Sequence, residues 1–390
     1  MIELSETVEE LEPSGIREFF DLVMGMDDVI SLGVGEPDFA TPWHIREAAI
    51  KSLEDGYTNY TSNQGMPRLR NLLAEHLNDK HKFKYDPDEE LLITTGVSEG
   101  MDLAMRALIN PGDEVIIPTP CYVSYKPTVV MPGGKPRFLD TSRGGDFKIN
   151  PRRLRDLINK KTKILALNYP CNPTGVTYTR SELEKIAEII REHDLLVITD
   201  EIYSHLTYED VHIPFPTLPG MKERTLYLNG FSKNCAMTGM RIAYAGGPES
   251  IIAAMNKIHQ YTMLCAPTTS QFAAVEAVLA GESSIRSMRN EYEKRRNLVV
   301  QSLNEMGLEC PRPAGAFYAF PSIANTGLKP EKFCRKLLEE KKVAVVPGKA
   351  FGPGGEDHIR LSYATDFELL KKAMERIEEF IRELKPAAGN

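Results

Sequence analysis

The sequence predicts an α/β protein, with a large domain on a mainly parallel sheet sandwiched by helices and a smaller α+β domain attached. Three observations predict it. From about Glu90, short apolar runs alternate with amphipathic stretches of helical period, the pattern of strands joined by crossover helices. Residues suited to chemistry fall at the carboxyl ends of those runs, where ligands gather in such sheets. After Arg286 the character changes to a long charged helix followed by short strand-like segments.

Taken in order, "ELLITTG" reads as a strand and "SEGMDLAMRALIN" as the helix after it. "DEVIIP" leads in the same way to "YVSYKPTVVM", and "KILALN" to "RSELEKIAEIIREH". "LLVITD" is a strand followed by a polar loop, "ERTLYLNG" a strand in which Leu226 and Leu228 alternate with Tyr227, and "MRIAYAGGP" a strand ended by two glycines and a Pro. "SMRNEYEKRRNLVVQSLNEMG" is the long helix. Beyond it "GAFYAFP", "VAVVPG" and "IRLSYA" are strands of one smaller sheet, followed by the helix "FELLKKAMERIEEFIREL". The expected division is residues 1–45 as an N-terminal arm and part of the small domain, 46–285 as the large domain and 286–390 as the small C-terminal domain.

A chain of 390 residues is long for one core. With 42% hydrophobic and 26% charged residues it is a folded rather than a disordered composition. The net charge of -8 and the lack of a basic stripe argue against nucleic acid or an anionic membrane as partner. No stretch reaches the apolar length of a membrane span, and the acidic "MIELSETVEELEPSG" has no apolar signal-peptide core. The six cysteines show no CxxC or zinc-ribbon spacing, so no metal site is expected and they read as reduced thiols of a cytoplasmic protein.

Lys233, in "NGFSKNCAMTGMR", lies on a short connection between two buried strands. An ammonium is poorly solvated there, its pKa falls, and a lysine so placed suits Schiff-base chemistry. Asp200 ends the apolar strand of "VITDEIY", with Tyr203 three residues on; read alone, Asp200 serves equally as a helix cap. Asn172 sits in the Pro- and Gly-rich turn "NYPCNPTG", where a turn residue needs no further role. "TTGVSEG" opens a helix and offers free backbone N–H groups to an anion.

Together, the ordered segments "SLGVGEPDF", "YTNYTSNQGMPRLR", "TTGVSEG", "NYPCNPTG", "TDEIY", "GFSKNCAMTGMR" and "IRLSYAT" resemble the class-I/II aminotransferases, pyridoxal 5'-phosphate enzymes of fold type I. The resemblance runs from about Ile30 to Tyr363 and implies a seven-stranded sheet and a homodimer with shared active sites. It implies that Lys233 holds the cofactor and moves the Cα proton, and that Asp200 keeps the ring nitrogen protonated. Tyr203 and Asn172 would donate to the ring's phenolate oxygen, and Tyr122 would stack on the ring. The phosphate falls to Arg241, to the backbone N–H groups of Val97 and Ser98, and to Tyr60 from a second subunit. Many relatives carry Ser three positions before the lysine. This chain has Gly230 there, with Ser232 as a partial replacement. Arg360 would clamp the substrate carboxylate, with Gly35 and Asn172 adding donors.

A carboxylate pinned near the ring plane leaves the Cα–H bond perpendicular to it, so the expected reaction is transamination by a ping-pong route. Carbon–sulfur β-elimination on the same scaffold and a non-catalytic regulatory protein are the alternatives. The second is disfavoured by the acidic chain and by the lack of a DNA-binding segment before Ser31. Ser98 stands where related aspartate aminotransferases carry a Lys for a distal carboxylate, and Ile16, Phe19 and Tyr122 are apolar or aromatic. The expected donor is therefore aromatic or otherwise large and neutral, with aspartate and alanine as further candidates and 2-oxoglutarate as acceptor.

Overall fold

The computed structural model describes residues 3–9, 11–13, 15 and 26–384. In chain order the first strands are β1 Ile30–Ser31, β2 Leu91–Thr94, β3 Glu114–Thr119, β4 Lys135–Asp140, β5 Thr162–Asn168 and β6 Leu196–Asp200. They are followed by β7 Thr225–Gly230, β8 Ala243–Gly246, β9 Tyr318–Ala319, β10 Val343–Ala344, β11 Val346–Pro347 and β12 Ile359–Ser362. Seven of them form one sheet in the order β2-β8-β7-β6-β5-β3-β4.

Every pairing among β7, β6, β5, β3 and β4 is parallel, whereas β8 runs antiparallel to both β7 and β2. The cause lies in the connection between β7 and β8. Parallel return needs a crossover, usually a helix. Residues 231–242 hold only the 3-10 turn Thr238–Met240, so the chain doubles back beside its own strand.

Helices cover both faces, and the parity of each strand decides which helix it meets. Leu92, Leu226 and Leu228 share a core with Met101, Leu103 and Met105 of the helix Val97–Leu108 and with Ile252 and Met255 of the helix Glu249–Thr262. Leu91, Ile93 and Tyr227 point the other way, against Leu69, Leu73 and Leu77 of the helix Pro67–His81. The expected alternation in "TLYLNG" is therefore not between core and solvent: all of β7 is buried, as a strand covered on both faces must be. Burying a side chain such as Leu228 contributes roughly 1.5–3 kcal/mol. Cutting it to Ala would cost about 2–5 kcal/mol.

Beyond the sheet, the helices Glu282–Glu305, Pro330–Lys341 and Phe367–Leu384 enclose a second core with β9, β10 and β12. The last helix buries Leu370, Ala373, Met374, Ile377, Phe380 and Ile381, one stripe at helical spacing. Asp366 starts it by accepting the N–H groups of Glu368 and Leu369. The single smaller sheet expected here is two sheets. β11, β12 and β9 form one, and β10 pairs in parallel with β1 near the N-terminus. "VAVVPG" thus breaks at Val345 to serve both.

Two further segments differ from expectation. "KPRFLD" forms β4, an edge strand that is mostly half-exposed, as edge strands that carry Pro and basic residues are. "YVSYKPTVVM" yields only the short helix Tyr125–Val130. Pro127 has no N–H and must sit in a first turn, so the helix begins at Tyr125 and leaves Tyr122 in the loop before it. Among the described residues no helix is long and apolar enough to cross a membrane, and no cluster of side chains is suited to a metal ion.

Candidate active site

The segments that follow β2, β3, β5, β6 and β7 open onto one cavity of about 1450 Å³. Its far wall comes from the second core, through Tyr318 of β9, Arg360 of β12 and Gly35 after β1. Val97, Ser98, Tyr122, Asn172, Asp200, Tyr203, Ser232 and Lys233 line the sheet side, with Arg241 at the rim. Loops at the carboxyl end of a parallel sheet converge in this way because every crossover starts there.

Lys233 sits on the turn after β7, and its Nζ donates to the Gly35 carbonyl at 2.7 Å. Burial pushes the amine down to about 8; Glu36 opposes that, while Arg360 and Arg241 add to it. An amine with that pKa gives up and takes back a proton near neutrality.

Asp200 is buried at the end of β6. Tyr125 Oη donates to its Oδ2 at 2.7 Å and the Ile202 N–H to its Oδ1 at 3.1 Å. Burial pushes the carboxyl up to about 6, against the hydrogen bond from Tyr125. Asn168 holds the backbone on both sides: its Nδ2 donates to the Asp200 carbonyl at 2.8 Å and its Oδ1 accepts from Asn172 N at 3.0 Å.

The start of the helix Val97–Leu108 has no side-chain cap. Among the described residues the N–H groups of Val97 and Ser98 donate to nothing, so both are free for an anion. Arg241 reaches the same loop, Nη1 donating to Thr238 O at 3.0 Å and Nη2 standing 3.5 Å from Thr95 O. Gly96 makes the approach feasible. A Cβ there would lie 2.5 Å from Arg241 Nη2, and its φ of 86° is one that L side chains rarely adopt.

Arg360 is 2% exposed, yet among the described residues no carboxylate lies within ion-pair distance of it. Its Nη1 donates to Asn172 Oδ1 at 3.0 Å, its Nη2 donates to Gly33 O, and its Nε has no partner among the described residues. The guanidinium lies over the Tyr318 and Phe351 rings at 4.7 and 4.8 Å. Asn172, whose oxygen is taken by Arg360, keeps its amide N–H groups unspent on the cavity wall among the described residues.

Tyr203 is buried with its Oη 2.8 Å from Tyr318 Oη. Tyr60 lies outside this lining and is 80% exposed. Ile16 and Phe19 lie outside the described residues. The Gly230 departure has a packing cause: a Cβ there would come within 2.6 Å of Ala243 Cβ, its partner across the β7–β8 ladder. Sequence reasoning passed over Tyr125, Asn168 and Tyr318. Tyr125 carried a signal, one helical turn beyond Tyr122; Tyr318 carried none beyond its place in an apolar strand.

A mostly parallel sheet with a lysine on its reversal loop and a carboxylate at a neighbouring strand end is the fold-type I scaffold. Residues 27–377 match the family model for aminotransferase class I and II. The chain is 46% identical over 385 residues to an aspartate aminotransferase of Pyrococcus abyssi, covering 98% of this chain and 99% of that one. It is 42% identical over 385 residues to aromatic-amino-acid aminotransferase 2 of Thermococcus litoralis, with the same coverages of 98% and 99%. The solved structure of Thermus thermophilus aspartate aminotransferase with maleate matches at a TM-score of 0.93 and 37% identity, over 97% of this chain and 100% of that one. The chain belongs to the class I and II aminotransferases. It is an enzyme that transfers amino groups.

Proposed function

We propose that this enzyme binds pyridoxal 5'-phosphate and moves the amino group of a large neutral L-amino acid, aromatic above all, to 2-oxoglutarate by a ping-pong route. The observation that carries the reading is Arg360, a buried guanidinium with an idle Nε and no carboxylate partner among the described residues. A charge so placed is costly until an anion arrives, and its planar fork suits a substrate carboxylate.

The residues present fit the cofactor. Bound, it would supply an electron sink for the bond broken at Cα. Asp200 would hold a proton on the ring nitrogen, Tyr203 and the free amide of Asn172 would donate to the ring oxygen, and Tyr122 would lie against the ring. The cradle of Val97, Ser98 and Arg241, with Ser232 nearby, would take the phosphate. Lys233 would carry the Cα proton, which its pKa of about 8 suits. Gly35, whose carbonyl holds Lys233, would turn its N–H to the substrate.

The same reading includes a homodimer. Tyr60 and Tyr261 are 80% and 85% exposed, and two bonds lock their segments together, Asn63 Nδ2 to Leu264 O and Thr268 Oγ1 to Asn59 O. Tyr57 and Trp43 are exposed as well, and a second copy covering such aromatic side chains would bring its own Tyr60 to the neighbouring phosphate.

Tyr122, Phe138, Tyr318 and Phe351 give the cavity an aromatic wall, while Lys126, Arg335 and Lys349 line it with cations. That combination would admit a large neutral donor and the distal carboxylate of 2-oxoglutarate in turn. The test is a panel of amino donors against 2-oxoglutarate with the oxo-acid products identified. A kcat/KM at least about tenfold higher for aspartate than for phenylalanine or tyrosine, or about 1.4 kcal/mol at the transition state, would overturn the donor preference. Pyruvate and ammonia formed from a cysteine-type substrate with no 2-oxo acid acceptor added would favour β-elimination.

A further inference from the structure

Glu99 lies in the first turn of the helix whose start forms the anion cradle. A free carboxylate there would repel a bound phosphate. Both of its oxygens are occupied instead. Oε2 accepts the Thr95 N–H at 2.5 Å, and Oε1 is 2.7 Å from Nδ1 of His259, a residue of the helix Glu249–Thr262. His259 is fully buried, and its Nε2 has no partner among the described residues, so the carboxylate is the only side chain it addresses. Burial alone would raise the Glu99 carboxyl. The bonds from His259 and Thr95 outweigh it and hold the group below its ordinary range.

The geometry has a direct effect on the cradle. With its N–H tied to Glu99, Thr95 presents its carbonyl, part of the next peptide unit, toward Arg241 Nη2. The next N–H, that of Gly96, turns back to the Thr94 carbonyl at 2.9 Å. The two N–H groups that follow, those of Val97 and Ser98, remain unspent among the described residues. Resting on the cofactor reading above, we infer that Glu99 and His259 form a positioning pair for the cofactor phosphate, fixing through Thr95 both the free N–H groups and the seat of Arg241. Neither side chain lines the cavity, so neither touches the reacting atoms.

The test compares dissociation constants for pyridoxal 5'-phosphate and for pyridoxal, which lacks the phosphate, by absorbance titration of the purified protein. Glu99→Ala and His259→Leu should each weaken pyridoxal phosphate roughly ten- to hundredfold, the scale of one charge-assisted hydrogen bond, while pyridoxal stays within about threefold of wild type. Equal affinities for pyridoxal phosphate in variant and wild type overturn the inference. So does an equal loss for both ligands, which marks a merely structural pair. If either variant does not fold, Glu99→Gln keeps the shape and an oxygen for Thr95 but gives up the charge. It should weaken pyridoxal phosphate alone, by about threefold or more, and equal constants again overturn the pairing. A wild-type protein that binds neither ligand sinks the cofactor reading instead, so the two failures are distinct.

Discussion

Replacing Arg360 by Met should separate the demands of the fold from those of the ligand. In the protein without substrate, the guanidinium is buried, and burial pushes its pKa down. Its two hydrogen bonds, to Asn172 Oδ1 and Gly33 O, come from a charged donor and stabilise the fold by about 1.5–3 kcal/mol each. Against that stands a desolvation cost of several kcal/mol for an ion without a counter-charge, about the size of the bonds or larger. A Met of similar length between the Tyr318 and Phe351 rings should therefore leave the melting temperature unchanged or raise it. Substrate binding should respond in the opposite sense. Losing the partner of a buried carboxylate costs about 3–5 kcal/mol, or roughly two to four decades in kcat/KM. Two assays decide it: kcat/KM for the favoured amino acid, and the thermal shift on adding maleate. At about a hundred times its dissociation constant, the ligand should stabilise the wild type by about 2.7 kcal/mol and the variant hardly at all. Arg360→Lys should recover part of the activity, keeping charge but not the fork. A Met variant that melts far lower, yet keeps the maleate shift, would show that Arg360 is a structural brace.

Three further outcomes are expected. Lys233→Ala should fold normally and lose transamination by several decades, and in wild type the rate of cofactor attachment should rise with pH and level off above about 8, where the amine is neutral. A rise centred near the ordinary lysine value would refute the buried-amine account. Tyr125→Phe deletes the 2.7 Å bond to Asp200, which lowers that carboxyl's pKa; the acid limb of the pH–rate profile should move up by about one to two units, the scale of a charged hydrogen bond. An unmoved profile would mean that Tyr125 only fills space. For His76, His81 and His205, burial is the first cause of a lowered pKa, to about 4 for His81 and about 3 for His205. The unfolded chain binds protons there first, so stability is full above the unfolded histidine pKa of about 6.5 and declines as pH falls below it. Asp200, raised to about 6, runs the opposite way but is one group against four, since burial lowers His358 as well. Calorimetry at about pH 7.5 and pH 5 should show a lower melting temperature in acid, and equal temperatures would refute the assignment.

How much of this was legible in the sequence varied with the kind of information each residue carries. Asp200 and Lys233 stood out because strand periodicity places a strand's end without reference to anything distant. Tyr125 and Asn168 meet Asp200 only through neighbouring strands, and strand order is not a local property of a sequence. β4 escaped notice because an edge strand need not be apolar. The helix Pro151–Leu157, capped by Asn150 with Pro151 at its first position, was not expected either, because it is short enough to pass for a turn. The pairing of "VAVVPG" with two partners was beyond any periodicity argument, since alternation says which face a residue takes and not which strand it joins.

The reversal of β8 has a mechanical side. A crossover would have carried the chain back to the opposite end of the strands before it started the next one, and Arg241 would have been delivered there. Doubling back keeps both ends of residues 231–242 on one side, so the amine of Lys233 and the guanidinium of Arg241 hang from a single tether anchored at each end by the Gly230–Ala243 rung. The tether works as a caliper. Whatever spans from the lysine to the arginine is gauged by backbone between two clamped strands, and the tight Gly230–Ala243 contact sets the jaw. Lengthening that loop by even one residue would alter the gauge without touching either side chain.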